Sequence, residues 1–403
     1  MRYRISLISP SFYHNICSCY AKSCLCAITC LLLEACSSEK NIDLIGAHET
    51  EILSIHNANV ITQLERNNYY INIMTHLSLD ETTEATCFDK MKFDNGYYFL
   101  LETTKNQTIW VFDSLGNFVS KLGEKGRAKN EYQTSITDWF YIKENNEVLV
   151  FEKNSRKIHV FSLNGNSIDT QILESWPNAI GALESDKIFC SYYHKLAKEG
   201  IQLGLFSRRE EVIEDFINLQ KNMEFVPTDN SFYANQDRLF HVPTFADSAI
   251  VFKKDSVEKT IHFVFEDKFI TEEIKNNAYK DKLDDFYHFK GVQYINTYYE
   301  TSRFHYLKYV CDRMFVNHLI DKKSKKQYKF ISSLIKGLFP STVFCVRDNK
   351  LLYIVTKQDV EDIRHLLEPA DYIKVLSESD EIVKKIFKGE ETLPLILSIE
   401  IKE

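Results

Sequence analysis

A chain of 403 residues with 49 Lys and Arg against 57 Asp and Glu carries a net charge of -8, and because the two signs are interspersed it lacks the basic field that nucleic acid binding requires. An apolar fraction of 44%, with 22 Tyr and 28 Phe, is the composition of a folded body, and aromatic and β-branched residues at this density favour strands.

Of the ten Cys, Cys17, Cys19, Cys24, Cys26, Cys30 and Cys36 fall within the first 36 residues. Arg2, Arg4 and Lys22 precede an apolar run from Cys24 to Leu33, and the run ends in Leu33-Glu34-Ala35-Cys36. A basic flank, a short apolar core and a small residue before the cut describe a secretory signal peptide, too short to stay in a bilayer as a spanning helix. Leu33, Glu34 and Ala35 before Cys36 are similar to a bacterial lipobox, so residues 1–35 are expected to be removed and Cys36 to carry acyl chains. The spacing Cys24-Leu25-Cys26 lies in this apolar segment without a His or Asp ligand set, which argues against a metal site. Residues 36–70 read as tether and lead-in, with a short amphipathic helix expected around Glu51 to Gln63. The later Cys87, Cys190, Cys311 and Cys345 stand in strand-like contexts as isolated buried thiols, with a disulfide among them as the alternative.

From residue 88 the chain repeats itself. Apolar runs at 88–93, 97–102, 108–113 and 117–122 are separated by turn residues such as Asp94-Asn95-Gly96 and Ser114-Leu115-Gly116, the pattern of an antiparallel meander. Ile109, Val111, Phe112, Gly116 and Asn117 return as Ile158, Val160, Phe161, Gly165 and Asn166, all at an offset of 49 residues. At the same offset Asp89 maps onto Asp138 and Leu100 onto Leu149. Phe206 follows Phe161 by 45 residues and Phe252 follows by another 46. A drifting period of this size, built from strands, predicts a propeller. The period then fails: Ile270 to Phe286, within a charged stretch near 266–288, has apolar positions at helical spacing and reads as an insertion. Strands resume at Val292–Tyr299, Phe304–Val310, Met314–Ile320 and Gln327–Phe330, then at Thr342–Val346 and Lys350–Val355. A helix is expected from Gln358 to Leu367 and a closing strand from Leu395 to Ile401. The count gives an all-β, six-bladed β-propeller of four-stranded antiparallel blades over residues 71–403, with Ile71–Ile73 placed to complete the last blade. One blade cannot bury both its faces alone; a closed ring can.

Val111-Phe112-Asp113-Ser114-Leu115-Gly116, Leu122-Gly123-Glu124-Lys125-Gly126-Arg127 leading to Glu131-Tyr132, and Lys157-Ile158-His159-Val160-Phe161 together resemble the six-bladed propeller lipoproteins of Bacteroidetes-type bacteria, which share their architecture with NHL and TolB-like propellers. Where that family has Gly-Pro-Gly-Glu-Tyr after the Gly-Arg pair, this chain has Ala128-Lys129-Asn130 before Glu131-Tyr132. The resemblance implies a lipid-anchored cell-envelope propeller and transfers no catalytic residue.

No nucleophile elbow, phosphate loop, zinc-protease helix or dinucleotide fingerprint occurs. Gly123 to Arg127 reads as a connection between blades, and His159, whose counterpart is Trp110, as a packing residue. The cluster Lys322-Lys323-Ser324-Lys325-Lys326 reads as a solvated hairpin tip. Asp89 and Asp138, repeated at one blade position, are the candidates to face the central channel; a structural turn or a blade-to-blade hydrogen bond explains the repetition equally. The function expected is that of a monomeric, membrane-tethered binding module for a glycan, a peptide or an envelope protein, without a cofactor. The alternative is a hydrolase or lactonase-like metalloenzyme holding a calcium-like cation in the channel. A scaffold or sensor without a small ligand is the third expectation.

Overall fold

The computed structural model describes residues 49–402 apart from 58–59, 80–87, 104–106, 129–130, 174–175, 185, 193–202, 210–211, 218–231, 236, 244, 255, 279–282, 332–344 and 348. The expectations for Leu33, Glu34, Ala35, Cys36 and Cys87 therefore lie outside the described residues. The chain divides into a unit of residues 1–42 and a unit of residues 43–403, and everything described belongs to the second.

Two strands, β1 (Glu49–Ile55) and β2 (Tyr69–His76), precede the first blade. That blade is the meander β3 (Lys90–Asp94), β4 (Tyr97–Glu102), β5 (Thr108–Asp113) and β6 (Phe118–Leu122). The second is β7 (Ile136–Ile142), β8 (Glu147–Glu152), β9 (Lys157–Ser162) and β10 (Ser167–Ile172). The third comprises β11 (Ala179–Ala182), β12 (Lys187–Ser191), β13 (Leu203–Ser207) and β14 (Val212–Ile217). The fourth comprises β15 (Tyr233–Asn235), β16 (Arg238–His241), β17 (Ser248–Lys253) and β18 (Ser256–Phe265). The fifth is β19 (Val292–Glu300), β20 (Phe304–Cys311), β21 (Met314–Asp321) and β22 (Gln327–Phe330). The sixth takes β23 (Cys345–Arg347), β24 (Lys350–Val355) and β25 (Leu395–Ile401) from the end of the chain and β2 from its beginning. Six small antiparallel sheets thus form a six-bladed β-propeller.

Alternation along each central strand shows why the blades need one another. Phe99, Leu101, Ile109 and Val111 pack with Trp139, Val148 and Val150 of the second blade. Their neighbours Tyr98, Leu100, Trp110 and Phe112 point the other way and pack with Leu352, Ile354 and Ile396 of the sixth. A strand covered on both faces is apolar at successive positions, which is why β4 and β5 read as unbroken apolar runs.

The first strands of the chain close the ring. β2 pairs antiparallel with β25, as expected for Ile71–Ile73. The helix expected around Glu51 to Gln63 is instead a strand: β1 adds to blade four as a fifth strand, parallel to β18, with Leu53 and Ile55 turned into the core. Ile61 then bridges to Tyr328 on the outer strand of blade five, so one ribbon ties blades four, five and six. Short period-2 burial wins over helical spacing here because β18 offers an open edge for β1 to pair with.

Helices interrupt the ring at two connections. α1 (Glu272–Ala278) and α2 (Asp284–His288) lie between β18 and β19. Between β24 and β25 come α3 (Lys357–Leu366), α4 (Pro369–Glu378) and α5 (Glu381–Lys388), two more helices than the spacing predicts. Thr356 caps α3 in a reciprocal box with Asp359.

Candidate functional site

The innermost strands β3 and β7 do not keep the 49-residue register. Lys90 pairs with Leu101 and Met91 with Leu100, whereas Asp138 pairs with Phe151 and Trp139 with Val150. Asp138 therefore occupies the place of Lys90, and Asp89 sits one residue outside it. A slip of one residue turns a side chain to the other face. Asp89 is exposed and accepts hydrogen bonds from the Thr103 amide and hydroxyl at 2.8 and 2.5 Å. Asp138 is 2% exposed and accepts from Lys90 at 3.0 Å, from Lys92 at 2.5 Å and from the Trp139 amide at 2.9 Å. The two aspartates are thus not brought together, and only Asp138 lies on an innermost strand.

The slip comes from the first turn of each blade. Blade one turns on two residues, Asn95 and Gly96, both at positive φ, which is the geometry of a tight hairpin. Blade two uses four, Lys143 to Asn146. These turns, with their counterparts from the other blades, surround a cavity of about 970 Å³ to which all six blades contribute. Asp94 and Asn95 come from blade one, Lys143, Glu144 and Asn145 from blade two, and Glu184 and Asp186 from blade three. Tyr233, Asn235 and Asp237 come from blade four, Thr301 from blade five and Arg347 from blade six. Below the mouth Lys92, Trp139, Phe140 and Tyr233 leave only about 20 Å³, enough for about one water molecule. Neither Asp89 nor Asp138 lines the cavity.

Burial sets the charges at the floor. It pushes the Asp94 carboxyl up to about 6, against the pull of Lys92. It also brings the Lys92 ammonium down to about 8, with Asp138 opposing, while the ammonium rests 4.0 Å from the Phe140 ring centre. Tyr233 is held flat against Tyr299 with ring centres 3.6 Å apart, and Arg347 stacks on Phe93 at 3.6 Å. Around the rim Arg209 pairs with Asp186 at 2.7 Å and Lys253 with Asp237 at 3.2 Å. Sequence reasoning names none of these cavity residues; the two extra residues of the Lys143–Asn146 turn are the signal that points to them.

The family described as "Domain of unknown function (DUF4934)" matches residues 81–385. The chain belongs to this family. A presumed exported protein from Bacteroides fragilis has the same fold at a TM-score of 0.70 and 14% identity, covering 88% of this chain and 100% of that chain. A member of the DUF4221 family from Bacteroides vulgatus is 13% identical over 84% of this chain and 100% of that chain, with a TM-score of 0.46. No curated protein matches the chain.

The other features singled out in the sequence have structural partners. His159 is fully buried; its Nε2 meets Glu152 at 2.9 Å and its Nδ1 meets the Thr170 hydroxyl at 3.3 Å. Burial alone would raise the Glu152 carboxyl, but hydrogen bonds with His159 and Thr134 hold it at about 2. The loop from Gly123 folds back on itself: Tyr132 is fully buried, its hydroxyl donates to the Leu122 carbonyl at 2.6 Å, and Gly126 accommodates the Glu131 carboxylate where a Cβ would stand 1.8 Å from it. The lysine cluster is the turn between β21 and β22, with Lys322 reaching buried Glu300 at 2.8 Å. Cys190, Cys311 and Cys345 are buried free thiols, pushed up to about 12, 11 and 12 by burial. Among the described residues no three His, Cys, Asp or Glu side chains converge so as to hold a metal, and no helix is long and apolar enough to cross a membrane.

Proposed function

We propose that this chain is a cell-envelope binding module, held to a membrane by acyl chains on Cys36, whose ligand sits in the axial cavity. The observation that carries the reading is the cavity itself: about 970 Å³, lined from all six blades by hairpin turns over a floor with aromatic rings. A ring of rigid blades holds those turns in place, so binding does not require the scaffold to rearrange. The export ascribed to the Bacteroides fragilis protein supports a place outside the cytoplasm.

Two experiments test it. Replacing Cys36 with Ala should move the protein from the membrane to the soluble fraction, and retention on the membrane would contradict the anchor. In a thermal-shift screen of neutral, acidic and basic oligosaccharides and short peptides, at least one class should raise the Tm of the wild type and leave Tyr141→Ala unshifted. No shift, or equal shifts in both proteins, would contradict the cavity as the seat.

The hydrolase reading retains one specific observation: Asp94, with its carboxyl at about 6, shares the cavity with Glu144, and general acid-base chemistry uses a carboxyl poised near neutrality beside an ionised one. Release of product from any ligand found in the screen would favour it.

A further inference from the structure

The lining of the axial cavity constrains what it can hold. Five carboxylates, Asp94, Glu144, Glu184, Asp186 and Asp237, face four cations, Lys143, Arg209, Lys254 and Arg347. Arg209 is spent on Asp186, Asp237 on Lys253, and Arg347 lies against Phe93. The near balance leaves no single-sign field to attract a polyanion or a polycation, and either would face groups of its own sign. A purely apolar ligand fares no better, because it would desolvate the rim carboxylates and amides without replacing their hydrogen bonds.

The floor has the opposite character. Tyr233, backed by Tyr299, and Tyr141, tilted on Phe99 at 5.6 Å, supply aromatic surface that packing holds in place. Planar carboxylates and amides over a fixed aromatic floor complement a ligand with one apolar flat face and a polar hydroxyl edge, which describes a sugar ring. A peptide would call for an open strand edge or apolar side-chain pockets, and the turns at this mouth offer carboxylates, amides and ammonium groups instead.

We infer that the ligand of the axial cavity is a neutral oligosaccharide, seated with a sugar ring against Tyr141 and Tyr233 and its hydroxyls hydrogen-bonded to Glu144, Asn145, Glu184 and Asn235. This deepens the binding-module reading and rests on it.

The test is calorimetric titration of the full chain with four neutral hexasaccharides, of gluco, manno, galacto and xylo configuration, beside a hexagalacturonide and an Ala-Gly hexapeptide. At least one neutral hexasaccharide should bind saturably. Glu144→Gln and Glu184→Gln, both at hairpin tips, should each weaken it about five-fold and Tyr141→Ala about ten-fold, while Arg313→Ala, in the β20–β21 turn outside the cavity, leaves it unchanged. Matching circular dichroism spectra show that the variants remain folded. If the hexagalacturonide or the peptide binds best and the cavity variants weaken it, the sugar inference is overturned and the binding reading stands. If a neutral sugar binds but ignores the cavity variants, both are overturned. If no probe binds, the inference is overturned.

Discussion

The first and second blades share the clearest repeat in the chain, yet they treat the same kind of residue in opposite ways. Asp89 lies in the open and caps a local turn with Thr103, whereas Asp138 is buried between two lysines of the neighbouring blade. Lys90 and Asp138 hold equivalent places on adjacent innermost strands, so the repeat has placed opposite charges where two copies meet. The difference arises from two residues added to one hairpin. Those residues shift the register and, in the same stroke, bring Lys143, Glu144 and Asn145 to the cavity. The repeat records the scaffold, and its break marks the site.

Substituting the two aspartates should separate them most strongly. Asp138→Ala strands the Lys90 and Lys92 ammonium groups together near the axis and should cost about 3–5 kcal/mol by urea unfolding. Asp89→Ala removes an exposed acceptor and should cost about 1 kcal/mol. Equal losses would mean that the two positions are equivalent after all.

The repeated glycines sharpen the comparison next. Gly116, at φ +82°, would place a Cβ 2.3 Å from the His76 carbonyl oxygen, in the closing strand of the sixth blade. Gly165, at φ +85°, would place one 2.8 Å from the Lys121 carbonyl oxygen. Gly116→Ala should therefore cost about 3 kcal/mol and Gly165→Ala about 2 kcal/mol. A reversed order would show that the first blade seats less tightly against its neighbour than the second.

The smallest effect depends on pH. The folded-state carboxyl of Asp94 lies above its ordinary value of 3.8, at about 6, so its contribution to stability is fully present below pH 3.8 and is lost as the pH rises through 6. Asp94→Asn should match the wild type at pH 4 and exceed it at pH 8 by about 1–2 kcal/mol. A variant equally stable at both would place Asp94 in open water.

These contrasts also show how far the sequence can be read. The blades are legible because strands such as Tyr98-Phe99-Leu100-Leu101 are covered on both faces and must be apolar throughout, and because Gly116-Asn117 and Gly165-Asn166 repeat the turn chemistry. β1 is not legible as a strand, since Glu49–Ile55 alternates so weakly that its parallel partner decides its state. The cavity is not legible because Asp94, Glu144, Glu184 and Asp237 are ordinary turn residues, and only ring closure gathers them from blades far apart in sequence. Asp138 stands out for its type, but an ungapped alignment pairs it with Asp89 and hides its partnership with Lys90.

Hydrogen–deuterium exchange of the full chain, with and without a saturating neutral hexasaccharide, tests the cavity as the ligand seat most directly. The account predicts slowed exchange at the turns 94–96, 142–146 and 182–184 and no change in the helical insertions at 272–288 and 357–388. Protection confined to those helices, with the turns unchanged, would contradict it.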